Sequence, residues 1–342
     1  MVSIAQLVRA SDCGSEGRGF DPHCSPLKIA CIDVGLFLHR CFLFLPPKKR
    51  YTLLYYSIDT DLLIKNMQTK IKECDTPFNE AELKQMLDFH ARRINNPDFI
   101  DQDPVQFPRR FDALADIEIA SLLSATIAWG NRKMICRNCE RMLQLMDNRP
   151  CDFVMDEGYE ELPDMNIHRT FFAENLKNYM RGLHLIYSRH GSLEAFARHL
   201  HIADSEFPSW RLAEGINRTI AETNDGKSDS RCLPQNLEST ALKRLNMALR
   251  WLVRDDGIVD LGVWKVIKPS QLFIPLDVHV ANVSRQLGLL TRKSNDKKAV
   301  VELTSKLLEF NPLDPTIYDY ALFGMGMEMK TRPLVPGQIL AE

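Results

Sequence analysis

Two stretches of this chain carry side chains that could act on one reacting centre. Phe273-Ile274-Pro275-Leu276-Asp277-Val278-His279-Val280 sets a carboxylate at the expected start of a helix, and Lys243-Arg244-Leu245-Asn246-Met247-Ala248-Leu249-Arg250-Trp251 sets a lysine on a basic helix. An amine and a carboxylate make a nucleophile and its acidic partner, able to attack an electrophilic carbon and to manage the proton the amine gives up. A free lysine amine is protonated at neutral pH, so burial or neighbouring cations must favour its neutral form, and Arg244 and Arg250 stand close enough in sequence to contribute. Asp277 also reads simply as the N-cap of the helix that follows, with Gly288 closing it. The two roles are compatible, since a carboxylate held by backbone amides is fixed in place. His279 reads as structural, near the start of that helix.

The elements that must position these groups are helical. Leu242, Leu245, Leu249 and Leu252 recur at i, i+3, i+7 and i+10 and predict a buried stripe. Lys243, Met247, Arg250 and Arg254 fall about a third of a turn away, so three cations share a neighbouring face. On periodicity alone that face is the solvated side of an ordinary amphipathic helix. Ser239 and Thr240 are the candidate caps of this helix. Upstream, the pattern predicts a helix over Glu80–Asn95 with Asn79 as N-cap and Pro97 as its stop, then an irregular connection over Asn96–Arg110. Ala113–Leu145 predicts one or two apolar helices broken near Trp129-Gly130-Asn131. Phe171–Tyr187 and Ser192–Leu200 pair around Gly191, and Asn224-Asp225-Gly226 signals a turn. Alternating strand patterns are scarce, and the expected class is all-α.

Residues 239 to 288 resemble the catalytic half of the helix-hairpin-helix DNA glycosylase superfamily, where a short apolar run leads into Asp, a small or β-branched residue, His and an apolar residue. The stretch from about residue 70 to 330 is similar to a bacterial family of unknown function related to those enzymes, with archaeal-type 8-oxoguanine glycosylases nearest. The resemblance implies a two-lobed fold that flips a damaged base out of double-stranded DNA. It implies that Lys243 attacks C1′ and forms a Schiff base, and that Asp277 stabilises charge developing on the sugar. Oxidised purine is the substrate it favours, with strand cleavage as an optional second step. It converts the cationic face into a DNA contact, with Arg132, Lys133, Arg244, Arg250, Arg254, Ser239 and Thr240 as candidates. Trp129 would stack on the extruded base and Asn131 would read its edge or plug the gap, with Asp319 and Phe323 near the base. A core tryptophan followed by a glycine turn accounts for Trp129 equally well.

This chain departs from the superfamily where the glycine-rich hairpin should stand: Leu233-Pro234-Gln235-Asn236 contains no glycine for close approach to a phosphate. No cysteine follows Cys232, which excludes an iron–sulfur cluster of the type found after the Asp helix. The erosion of the hairpin keeps open a DNA-binding protein without chemistry, and the near-neutral charge keeps open an enzyme acting on RNA or nucleotides.

Composition sets the outer limits. With 342 residues, 45% hydrophobic and 26% charged, the chain can bury a full core, while a net charge of −2 means that any DNA site is a local patch. Nine scattered cysteines suit a reducing cytoplasm, with association to the nucleoid implied by the resemblance. Cys136 and Cys139 fall inside one expected helix and read as packing, so no metal and no cofactor is expected. The first 66 residues differ from the rest: Lys28–Ile58 is too interrupted by charge for a membrane span, and Ser3–Pro26 resembles a peptide produced when a transfer-RNA gene is translated. Translation is therefore expected to start at Met67, with a genuine N-terminal tail as the alternative, and residues 67–342 form a monomeric two-lobed domain.

Overall fold

Asn79 starts the first described helix by accepting a hydrogen bond from Glu82 N at 2.9 Å, while the Glu82 carboxylate accepts from Asn79 N at 3.0 Å. That helix, α1 (Glu80–Ile94), opens residues 79–328, the part of the chain that the computed structural model describes. The expected extension over residues 1–66 and the start at Met67 lie outside the described residues. All described residues belong to one compact unit, Thr76–Glu342. No described helix is long and apolar enough to cross a membrane.

The all-α expectation holds, with one addition. The expected irregular connection after α1 is a series of 3-10 turns, Pro97–Gln102, Pro104–Gln106 and Pro108–Arg110. The apolar stretch splits as expected into α2 (Leu114–Thr126) and α3 (Arg132–Leu145). A short helix, α4 (Pro150–Met155), leads to a two-stranded antiparallel hairpin, β1 (Asn166–His168) and β2 (Phe171–Phe172), too short for an alternating pattern to signal. The helical pairs continue as α5 (Ala173–His190), α6 (Leu193–His199) and α7 (Pro208–Thr223). The lysine helix is α8 (Lys243–Val253), the Asp helix α9 (Val278–Gln286), and α10 (Lys297–Phe310) and α11 (Tyr318–Glu328) close the unit.

Helix α2 is the central strut. Residues 117–126 are all buried, and each fully buried Leu or Ile contributes roughly 1.5–3 kcal/mol. Its one buried acid, Glu118, accepts from Leu193 N and Glu194 N at the start of α6, from Tyr187 OH and from Trp264 Nε1, each at 2.8 Å. Burial pushes this carboxyl up, and the four donors oppose that effect. Glu118 thereby ties four segments to one point. On the other side of the unit, α11 uses Gly324 and Gly326 to bring two helices close. A Cβ at Gly324 would sit 2.5 Å from Ile94 of α1, and one at Gly326 would sit 3.0 Å from the His279 Cβ of α9. These packings put the starts of α3, α8, α9 and α11 around one depression.

Candidate active site

That depression is a cleft of about 750 Å³. Lys243 and Asp277 both line it, together with Trp129, Asn131, Asp319 and Phe323. The fold thus brings residues more than 30 positions apart in sequence to the lining of one cleft.

Lys243 is the first residue of α8 and is half-buried; its Nζ lies 3.4 Å from the Ala128 carbonyl, just past the end of α2. Arg244 donates to Thr126 O at 2.7 Å and to Arg231 O at 3.3 Å. Two cations therefore meet the carbonyls at the C-terminus of α2, a favourable place for positive charge. Ser239 and Thr240 do not cap α8, contrary to expectation. Leu242 occupies the N-cap at φ 46 without a side-chain bond, and Thr240 Oγ1 instead accepts from Leu242 N at 3.3 Å. The left-handed turn at Leu242 carries the chain into the helix at an angle that leaves both hydroxyls behind.

Asp277 caps α9 through one oxygen: Oδ1 accepts from His279 N at 2.8 Å and Val280 N at 2.9 Å. Among the described residues Oδ2 has no hydrogen-bond partner, and no ion pair joins Asp277 to Lys243. The carboxylate is fixed on one side and open on the other. His279 also lines the cleft, with its backbone N–H spent on the cap.

Behind Lys243 lies a buried ionic layer that the sequence did not signal. Arg250 bonds Asp319 and lies 3.4 Å from Asp260, all three buried. Arg254 pairs with Asp260, with Asp256 at 3.0 Å and with Asp314 at 2.9 Å. The Tyr320 ring lies under both guanidinium groups, at 4.3 Å and 5.5 Å. Arg250 and Arg254, both expected to contact DNA, have their charges matched by these acids; Arg250 lines the cleft and Arg254 does not. Helical spacing predicts a solvated cationic face, whereas Arg250 and Arg254 are buried, because four acids stand opposite them. Burial raises the carboxyls of both Asp260 and Asp319 against their arginines, and at Asp319 burial and nearby Asp277 outweigh Arg250 and hold it up at about 6.

Trp129 is half-buried and braced. Its ring meets His168 edge-on at 4.6 Å, its carbonyl is 2.9 Å from His168 Nε2, and the Arg244 guanidinium lies 5.4 Å from its centroid. Gly130 follows at φ +103, where a Cβ would also meet Arg169 Nη1 at 2.6 Å, so only glycine fits the turn. Asn131 is exposed and caps α3, accepting from Met134 N at 3.3 Å. Arg132 lines the cleft and pairs with Asp103 at 3.0 Å, whereas Lys133 is exposed outside the lining. Cys139 is buried with its thiol pushed up by burial, and among the described residues no group of three or more His, Cys, Asp or Glu is placed to hold a metal ion.

A family model described as protein of unknown function (DUF2400) matches residues 103–328. The match contains every candidate residue named above from Asp103 to Phe323. No curated protein and no solved structure matches the chain.

Proposed function

We propose that this chain, which belongs to the DUF2400 family of proteins of unknown function, is a DNA glycosylase with the two-lobed helix-hairpin-helix architecture, extruding a damaged base and cutting its N-glycosidic bond. The observation that carries the reading is that Lys243 and Asp277, whose Oδ2 has no hydrogen-bond partner among the described residues, both line one cleft of about 750 Å³. The Lys243 amine attacks C1′ as the bond from C1′ to the base nitrogen breaks, and the base leaves with the electron pair and takes up a proton. Asp277 stabilises the positive charge on the sugar and accepts the proton that Lys243 releases. Opening of the sugar ring then gives a Schiff base, from which strand cleavage can follow. Trp129 offers the stacking surface for the extruded base, and the candidate substrates are oxidised purines. Action on chromosomal DNA would place the protein at the nucleoid.

The second reading, a DNA-binding protein without chemistry, draws on Leu233-Pro234-Gln235-Asn236, where side chains stand in place of the glycines of a phosphate-binding hairpin. One experiment separates the two. The full chain and its Lys243→Gln variant are incubated with duplexes bearing single lesions in the presence of borohydride. A covalent adduct formed only by the wild type supports the glycosylase. DNA binding with neither adduct nor released base on any lesion overturns it in favour of the second reading.

A further inference from the structure

Arg132 does not sit as a phosphate-binding arginine would. Its guanidinium lies 5.1 Å from the Phe99 centroid and 4.9 Å from that of Phe323, and these rings meet edge to face at 6.2 Å, so they form a corner around it. Arg132 Nη2 donates to Asp103 Oδ2 at 3.0 Å, and Asp103 is buried and fixed in turn by accepting from Val105 N at 3.1 Å. Three segments thus hold one planar group still, and Asp103 balances its charge. Phe99, Asp103, Arg132 and Phe323 all line the cleft that holds Lys243 and Asp277. The Arg132 side chain remains 31% exposed, and among the described residues its Nε–H and Nη1–H groups have no acceptor.

A guanidinium has donors and no acceptor, so a fixed one selects partners by sign. Purines differ in sign at position 6, where guanine and hypoxanthine carry a carbonyl oxygen and adenine carries an amino donor. We infer that Arg132 is the specificity-determining residue of the cleft, donating to the 6-carbonyl of an extruded 6-oxopurine and rejecting 6-aminopurines. This rests on the reading of the cleft as a base pocket and narrows the substrate class within it. The unpaired donors would be left buried against an amino group, which makes the discrimination large.

The test measures binding by fluorescence anisotropy, and base release separately, for duplexes carrying one 8-oxoguanine, hypoxanthine or 8-oxoadenine and for an undamaged duplex. Wild type is expected to bind both 6-oxopurine duplexes at least about tenfold more tightly than the 8-oxoadenine duplex, the worth of one good base contact. Arg132→Gln, whose amide can turn either a donor or an acceptor to the base, is expected to collapse that preference. Arg132→Lys, which keeps the cation and loses the planar fork, serves where the glutamine variant fails to fold, and is expected to lose most of the preference. The inference is overturned if wild type shows no preference, or if a folded variant keeps it. It is overturned equally by uniform weakening on all four duplexes with a shallower salt dependence, the mark of a phosphate contact. A preference without base release leaves the inference standing and overturns the excision chemistry instead.

Discussion

Asp319 is the residue whose charge the cleft resists most. It faces Arg250, Asp277, Lys243 and Asp260, and burial together with the two acids holds its carboxyl up at about 6. Because the folded value lies above that of an unfolded aspartate, the contribution to stability is fully present below the ordinary carboxylate range and is lost as pH rises through about 6. Asp319→Asn cannot titrate. Between about pH 4 and pH 7 the wild type is expected to lose on the order of 3 kcal/mol relative to this variant, read by urea denaturation at each pH. A constant difference across that range would show that Asp319 titrates normally. Lys243 and Asp277 stand out as a pair through the resemblance to the glycosylases, since by residue type and spacing alone they read as part of a solvated face and as an N-cap. Arg132 was legible only as a surface cation, since its corner is assembled from Phe99, Asp103 and Phe323, and no spacing links those positions.

At the scale of elements, the cap and the chemistry of Asp277 can be separated. Asparagine caps a helix about as well as aspartate, but it cannot accept a proton or stabilise a cation. Under the glycosylase reading Asp277→Asn is therefore expected to leave stability within about 0.5 kcal/mol of wild type while base release falls by at least about a hundredfold. Asp277→Ala should lose base release and about 1 kcal/mol of stability as well. If the asparagine variant releases base at the wild-type rate, Asp277 is a cap and nothing more. Close packing gives a second expectation. A Cβ at Gly182 of α5 would stand 2.8 Å from Ile220 Cγ1 and 3.3 Å from the Ile220 backbone on α7, and the backbone cannot turn aside. Gly182→Ala should cost about 1–3 kcal/mol in thermal or urea unfolding. Helix boundaries were largely legible, because caps such as Asn79 and Asp277 and the stop at Pro97 act locally. The start of α8 was not: Ser239 and Thr240 have capping side chains, but the left-handed turn at Leu242 is set by how that segment packs.

Across the whole molecule, a net charge of −2 leaves DNA affinity to whichever cations remain unmatched at the surface. This divides the expected DNA-contacting residues. Arg254 is 1% exposed and shares Asp260, Asp256 and Asp314, so it has no charge to offer a phosphate. Removing its guanidinium would leave the buried Asp260 undercompensated, and Arg254→Gln should lose about 3–5 kcal/mol of stability. Lys133 is exposed beside Arg132 at the start of α3, next to the mouth of the cleft. Under the glycosylase reading Lys133→Gln should fold normally and lower the slope of log affinity against log salt by about 0.9, the release of counterions from one phosphate. Anisotropy titrations of an undamaged duplex over a salt series measure both, with urea unfolding as the control. The outcome that contradicts this division is a reduced salt slope for a folded Arg254 variant together with an unchanged slope for Lys133→Gln. In that case the ionic layer behind Lys243 would have to open when DNA binds, and Arg250, which shares Asp260 with Arg254, would move with it together with its other partner, Asp319.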